Sequence, residues 1–189
     1  MTLSVSCAFD GGNIELVAVD GNRVDLNIRK DNESDFYQWF YFRVTGAAGR
    51  NIELRLLNCA GAAYPHGWEH YRGCMSTDRE EWTRIDTHYE DGVLTMRATP
   101  ASDSVWFAYF APYTMERHHD LVAEVAAQPG VDYRSLGQTL DGQEIDYFRL
   151  PGGPLQVRLY ARQHPGETMA EWWMEGAIER LLDEADPVT

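Results

Sequence analysis

Short alternating runs separated by turn residues fill the first 112 residues of this chain, and that rhythm limits its fold more than any other feature. The run at 14–19 is followed by Asp20-Gly21-Asn22 and then by the run at 24–28, a pattern typical of a β-hairpin. Further runs occur at 39–44, 52–57, 82–87, 93–98 and 105–110. Many short strands with turn signals at such spacing predict a β-sandwich or a β-barrel.

The rhythm changes after Pro112, where strands begin to alternate with helices. This switch predicts a domain boundary near Pro112, with a β domain over 1–112 and an α/β block over 113–189. The second block is thin for a self-sufficient α/β domain. Its predicted elements are a helix at 115–127, a hairpin of 133–136 with 145–150, a strand at 155–161 and a helix at 168–182.

Composition argues against nucleic acid as a partner and favours a reducing compartment. With 16 basic and 30 acidic side chains the net charge is −14, which argues against a nucleic-acid partner. No run of apolar residues is long enough for a membrane span, and the first residues do not resemble a signal peptide. Cys7, Cys59 and Cys74 are odd in number and far apart, which favours free thiols in a reducing compartment. We therefore expect a cytoplasmic protein.

The loop between the strand at 155–161 and the last helix holds a candidate metal site. Pro165 biases His164 toward an extended backbone, Gly166 permits a tight turn, and Glu167 then falls at the start of the helix. His164 and Glu167 are thereby directed into the same space, and both are good zinc ligands. The alternative is an ordinary loop in which the two side chains merely cap a helix, since short motifs often occur by chance.

Other residues near this loop leave several roles open. Arg162 either pairs with Glu167 or another acid, or meets an anionic group of a substrate, and it is the candidate substrate-binding residue. Trp172 and Trp173 lie at helical core spacing and are predicted to be buried, as is the aromatic strand at 39–42.

Five further histidines are weighed as a third ligand. His66, His70 and His88 lie in the β block and are better explained as surface or hydrogen-bonded residues. His118 and His119 are adjacent on the predicted first helix and point about 100° apart, so both cannot easily bind one ion.

The spelling Arg-Gln-His-Pro-Gly-Glu at 162–167, followed by Thr168, resembles the zinc loop of the metallocarboxypeptidases and of their cytosolic branch in particular. The hairpin at 137–145 is similar to the Gly-x-Thr-x-x-Gly-x-x-Ile hairpin of that family. The β block resembles the N-terminal β-sandwich that cytosolic carboxypeptidases carry before their catalytic domain, through the segments 9–14, 38–42, 76–84 and 108–113. The resemblance covers nearly the whole chain.

This resemblance implies an antiparallel β-sandwich followed by the first part of a carboxypeptidase-like α/β domain. It implies that His164 and Glu167 bind Zn²⁺, and that peptide or protein C-termini are the substrates. In the family a second histidine, a glutamate general base and a substrate-binding arginine come from later in the catalytic domain, whereas no histidine follows Glu167 here.

We therefore expect no catalytic residue in this chain, no activity of the chain alone, and self-association through residues beyond about 115. The sequence would then be the N-terminal portion of a longer zinc-dependent enzyme. The alternative function is a non-catalytic β-sandwich module that binds a protein or peptide and holds no metal.

Overall fold

The computed structural model describes residues 2–183 and 185, and these fall into two compact units that meet in sequence between Pro112 and Tyr113. The first unit contains two five-stranded sheets, and the second contains a two-stranded hairpin and two α-helices. Among the residues described, no helix is both long and apolar enough to cross a membrane.

The two sheets of the first unit form the predicted β-sandwich. One sheet has the order β1-β4-β10-β6-β7 and the other the order β2-β3-β5-β9-β8. The strands are β1 (Ser4–Ser6), β2 (Glu15–Asp20), β3 (Arg23–Asn27), β4 (Tyr41–Thr45), β5 (Ile52–Leu56), β6 (Cys74–Ser76), β7 (Thr83–Arg84), β8 (Asp86–Glu90), β9 (Val93–Ala98) and β10 (Ser104–Ala108).

Neighbouring strands are antiparallel, as predicted, with the exception of the parallel pair β3–β5. The chain leaves β3 for β4 in the opposite sheet and then returns to β5, so β3 and β5 run in the same direction. Local alternation cannot reveal such a crossover, because a parallel and an antiparallel strand show the same period of two.

The inner faces of both sheets contribute to one apolar core. Strand β5 buries every second side chain, with Ile52, Leu54 and Leu56 inside and the charged residues between them more exposed. From the other sheet, Phe42 and Phe107 are fully buried in the same cluster and their rings stack with centroids 5.6 Å apart. Each such side chain stabilises the fold by about 1.5–3 kcal/mol. Burial of the aromatic segment 39–42 is confirmed for Phe40, Tyr41 and Phe42, whereas Trp39 is half-buried and lies before β4.

The three cysteines are free, as predicted. Cys59 is fully buried, and burial raises the pKa of its thiol to about 12. Its carbonyl accepts a hydrogen bond from the indole N–H of Trp68 at 3.0 Å. Both residues lie in short 3-10 turns, Cys59–Gly61 and Pro65–Trp68, which the sequence pattern did not reveal.

The second unit has most of the predicted elements. They are α1 (Met115–Ala126), β11 (Asp132–Gln138), β12 (Glu144–Arg149) and α2 (Thr168–Leu182). Thr114 caps α1, because its hydroxyl accepts a hydrogen bond from the Arg117 N–H.

The strand predicted at 155–161 was wrong, because these residues adopt no regular secondary structure. Alternation alone does not make a strand, which also requires a hydrogen-bonded neighbour. In the described part of the chain, β11 and β12 pair only with each other. The apolar side chains of the segment consequently remain exposed, with Leu155 at 86% and Val157 at 80% of full exposure.

The predicted inner face of α2 was wrong for its two tryptophans. Trp172 and Trp173, expected in the core, are 37% and 55% exposed. Ile178, which follows the same apolar spacing, is buried together with Thr168 and Glu171. The buried carboxylate of Glu171 has charged partners that only the tertiary structure provides, so apolar periodicity could not identify it.

Candidate metal centre

The loop before α2 brings His164 and Glu167 face to face. Pro165 and Gly166 form the turn between them, and the Glu167 N–H donates to the His164 carbonyl at 3.0 Å. The Glu167 side chain folds back, so that its Oε2 accepts from the His164 N–H at 3.2 Å. Its Oε1 then lies 2.9 Å from the His164 Nδ1. The predicted juxtaposition of the two side chains is present in the structure.

The chemistry of this pair suits a divalent cation. The hydrogen bond with His164 lowers the pKa of Glu167, so the carboxylate stays ionised at neutral pH. Both side chains are accessible, His164 at 78% and Glu167 at 41% of full exposure. Two ligand atoms that each lie about 2.1 Å from a tetrahedral zinc ion are separated by roughly 3.4 Å. The direct contact of 2.9 Å between His164 Nδ1 and Glu167 Oε1 would therefore open slightly when an ion is bound between them.

The described residues place no third protein ligand with this pair. Among residues 2–183 and 185, no group of three His, Cys, Asp or Glu side chains is arranged to hold a metal ion. His164 and Glu167 therefore fit two of the three protein-ligand positions that a catalytic zinc site normally has.

The Arg162 guanidinium is engaged by other groups of the second unit. Its Nη1 donates to Glu171 Oε2 at 2.6 Å and to the Tyr113 carbonyl at 3.1 Å. Its Nε donates to the Pro165 carbonyl at 3.4 Å. Of the two roles left open for Arg162, the structure shows pairing with an acid, and that acid is Glu171 rather than Glu167. Contact with a substrate stays a prediction.

A buried carboxylate pair surrounds His118. Its Nδ1 lies 2.7 Å from Glu171 Oε1 and its Nε2 lies 2.7 Å from Asp146 Oδ2. Asp146 Oδ1 also accepts a hydrogen bond from the Tyr133 hydroxyl at 2.7 Å. The hydrogen bond with Glu171 raises the pKa of His118, burial opposes this effect, and the hydrogen bond with Asp146 adds to it, so the net pKa is raised. His118 therefore has a structural partner on each ring nitrogen.

Glu171 is the point at which these contacts meet. Burial acts to raise the pKa of Glu171, but the hydrogen bonds from His118 and Arg162 together outweigh it, and the net pKa is lowered. A second acid on α2, Glu175, accepts hydrogen bonds from Arg117 and from the Tyr113 hydroxyl. The guanidinium of Arg117 in turn stacks over the Trp172 ring, 4.1 Å from its centroid.

Comparison with known proteins places the first unit in a family. Residues 5–110 match the family model described as the cytosolic carboxypeptidase N-terminal domain. The chain belongs to this family. The matched range covers β1 to β10 and thus the whole sandwich of the cytosolic carboxypeptidase N-terminal domain.

Similarity extends beyond that domain to the candidate metal loop. A protein of Zymomonas mobilis is 57% identical over 188 residues, covering 100% of this chain and 50% of the relative. Cytosolic carboxypeptidase 1 of Gallus gallus is 25% identical over 229 residues, covering 95% of this chain and 19% of the relative. The chain therefore spans half the length of one relative and about a fifth of the other.

A solved structure shows the same fold. The metallo-carboxypeptidase of Pseudomonas aeruginosa, in complex with (2-guanidinoethylmercapto)succinic acid, superposes with a TM-score of 0.90 at 39% identity. The match covers 97% of this chain and 50% of that protein. The fold of this cytosolic carboxypeptidase family member is thus that of a metallo-carboxypeptidase over the aligned half.

Sequence reasoning about this family member predicted that His164 and Glu167 face each other. It considered His118 only as a further ligand and did not single out Asp146 or Glu171. One signal was available, because Thr168, Glu171, Glu175 and Ile178 follow a helical spacing of three and four residues.

Proposed function

We propose that this chain is part of a zinc-dependent metallocarboxypeptidase that removes C-terminal residues from peptides or proteins. The observation that carries the proposal is the facing pair of His164 Nδ1 and Glu167 Oε1, 2.9 Å apart in a turn that both residues close through their backbone. Relatives named as carboxypeptidases support the reaction class.

In this proposal His164 and Glu167 are two of the zinc ligands. Bound zinc would polarise the scissile carbonyl and lower the pKa of a bound water molecule. The chain itself keeps Glu167 ionised through His164, and it holds the turn between the two ligands closed. A general base and a group that binds the substrate carboxylate have no assigned residue among the described part of this chain.

Peptide or protein C-termini are the proposed substrates, and the cytosol is the proposed location. The names of the relatives support both, and the net charge of −14 argues against nucleic acid as a partner. The three free cysteines are consistent with a reducing compartment.

Zinc titration of the purified chain tests the metal-binding part of the proposal. Calorimetry should show binding that is weaker than at a complete three-ligand site and that is lost in His164→Ala and in Glu167→Ala. His88→Ala is the matched control, since His88 is an exposed histidine of the first unit that lies 3.5 Å from Glu90. Submicromolar zinc binding that persists in His164→Ala would place the ligands elsewhere and contradict the proposed site.

A peptide assay tests the reaction. We expect the chain alone, supplied with zinc, to release no C-terminal residue from peptides with varied ends. A missing general base typically costs about 10²–10⁴-fold in rate. Mass spectrometry provides the readout, and release that disappears in Glu167→Ala would show that the chain is sufficient for catalysis.

We also propose that the isolated chain associates with a second copy through its second unit. Apolar side chains are exposed at 155–160 and on α2, including Tyr160 at 68% and Trp173 at 55%. Contiguous exposed apolar surface usually binds a partner. Light scattering coupled to size exclusion should show a dimer or larger species that shifts toward monomer in Leu155→Ser/Val157→Ser. A clean wild-type monomer would contradict this proposal.

A further inference from the structure

A continuous series of charged hydrogen bonds links four segments of the second unit. Arg162 of the metal loop donates to Glu171 of α2 at 2.6 Å. Glu171 lies 2.7 Å from the Nδ1 of His118 on α1, and the Nε2 of His118 lies 2.7 Å from Asp146 on β12. The side chains of Glu171 and Asp146 are only 10% and 8% exposed. This series ends two residues from the ligand His164.

The geometry determines the protonation state of His118. A neutral imidazole has one N–H, so one of its nitrogens would direct a lone pair at a carboxylate oxygen. When both carboxylates are ionised, only the doubly protonated ring satisfies the two contacts of 2.7 Å. The charged groups that face the ring are Glu171 from α2 and Asp146 from β12, and the ring of His119 follows on α1 with 6.1 Å between centroids.

The loop needs such support, because Arg162 has a left-handed backbone with φ of 51°. Residues other than glycine rarely adopt this conformation, and it persists where surrounding contacts impose it. The Arg162 guanidinium makes those contacts, to Glu171, to the Tyr113 carbonyl and to the Pro165 carbonyl within the turn itself. Glu171 therefore fixes the side chain that holds the loop.

We propose that His118 and Glu171 are positioning residues for the ligand pair His164–Glu167. Asp146 holds the His118 imidazolium, the imidazolium orients Glu171, and Glu171 orients Arg162 and the turn that follows it. Loss of the second ring proton at alkaline pH releases one of the two carboxylates and loosens the loop. The benefit for metal binding rests on the proposed function, whereas the effect on loop geometry does not.

The test is a metal-free NMR titration of the full 189-residue chain labelled with ¹⁵N. The His118 ring nitrogens report protonation, and the Glu167 amide, which donates to the His164 carbonyl, reports the loop. We expect both ring nitrogens to remain protonated above pH 6.5, the ordinary pKa of histidine. In His164→Gln, which removes the titrating imidazole 2.9 Å from the Glu167 carboxylate, we expect the Glu167 amide to shift with the same midpoint as the His118 ring. A wild-type ring with a single N–H at pH 6.5 would overturn the proposal without any substitution.

Substitutions in the same His164→Gln background then test the linkage. Asp146→Asn should lower the His118 midpoint, and the Glu167 midpoint should fall with it. If Asp146→Asn does not fold, Tyr133→Phe takes its place, because it removes only the hydroxyl that donates to Asp146. The His118 midpoint and the Glu167 midpoint should then move together. Arg162→Gln should leave the His118 ring protonated and abolish the linked Glu167 response, and His119→Gln should leave both signals unchanged. A Glu167 midpoint that stays fixed while that of His118 moves would contradict the positioning role.

Because no metal is present in this titration, its result is independent of the proposed function. Failure of zinc to bind the loop would leave the linkage between His118 and Glu167 unaffected. Absence of the linkage would leave His164 and Glu167 as candidate ligands.

Discussion

The two units of this chain are stabilised by different kinds of interaction. The sandwich has a continuous apolar core drawn from both sheets, in which Phe42, Leu54 and Phe107 are at most 1% exposed. The second unit buries few apolar side chains among its described residues, and its elements are joined instead by ion pairs through Glu171 and Glu175.

This difference has consequences for stability and for function. Apolar burial is insensitive to pH, tolerates small errors of orientation and scales with area. Buried charges need well-placed partners, and removal of one partner leaves the other uncompensated. The second unit should therefore be the less stable of the two, but its contacts orient the residues of the metal loop more specifically than an apolar core would.

The largest expected effect is the removal of an aromatic ring from the sandwich core. Phe42→Ala should destabilise the first unit by about 3–5 kcal/mol, because it deletes a fully buried ring that stacks on Phe107. Urea denaturation followed by circular dichroism measures this change. Phe36→Ala is the matched control, since Phe36 is 72% exposed, and it should cost much less. Equal effects of the two changes would contradict the assigned core.

A smaller effect is expected when the ion-pair network is broken in the second unit. Glu171→Gln should destabilise that unit by about 1.5–3 kcal/mol, the usual contribution of hydrogen bonds to charged groups, and should leave the sandwich unchanged. Hydrogen exchange resolved by segment separates the two units. Glu179→Gln, an exposed position on the same helix, is the control. Loss of protection throughout 2–112 in Glu171→Gln would show that the units are not independent in stability.

The stability of the two units should also depend differently on pH, with a smaller effect than either substitution. The pKa of His118 is raised in the fold, so its contribution is complete below 6.5 and is lost as the pH rises through the raised value. The pKa of Glu171 is lowered, so its contribution is present above 4.5 and is lost as the pH falls. The second unit should be most stable between these limits.

Protection factors measured at several pH values would show this window. His118→Gln should remove the decline on the alkaline side and leave the decline on the acidic side in place. A second unit whose stability increases from pH 6.5 to pH 9 would contradict the assigned imidazolium.

The same contrast explains how far the sequence could predict the structure. Strand alternation, turn residues and helix boundaries are local, so the sandwich, the hairpin and both helices were predicted from the pattern, and the His164–Glu167 turn from four adjacent residues. Sheet partners and buried charges are not local. Residues 155–161 alternate like a strand but have no neighbour in the described part of the chain, and Glu171 lies on a polar stripe whose partners are 53 and nine residues away.

The central claim is that the turn formed by His164 and Glu167 binds a metal ion, and the most direct measurement is a crystal structure of the chain with zinc, using anomalous scattering at the zinc edge. We predict one peak between the two side chains, about 2.1 Å from the His164 Nδ1 and in contact with the Glu167 carboxylate, and its absence in His164→Ala. Zinc peaks at other histidines with none at this turn would contradict the claim.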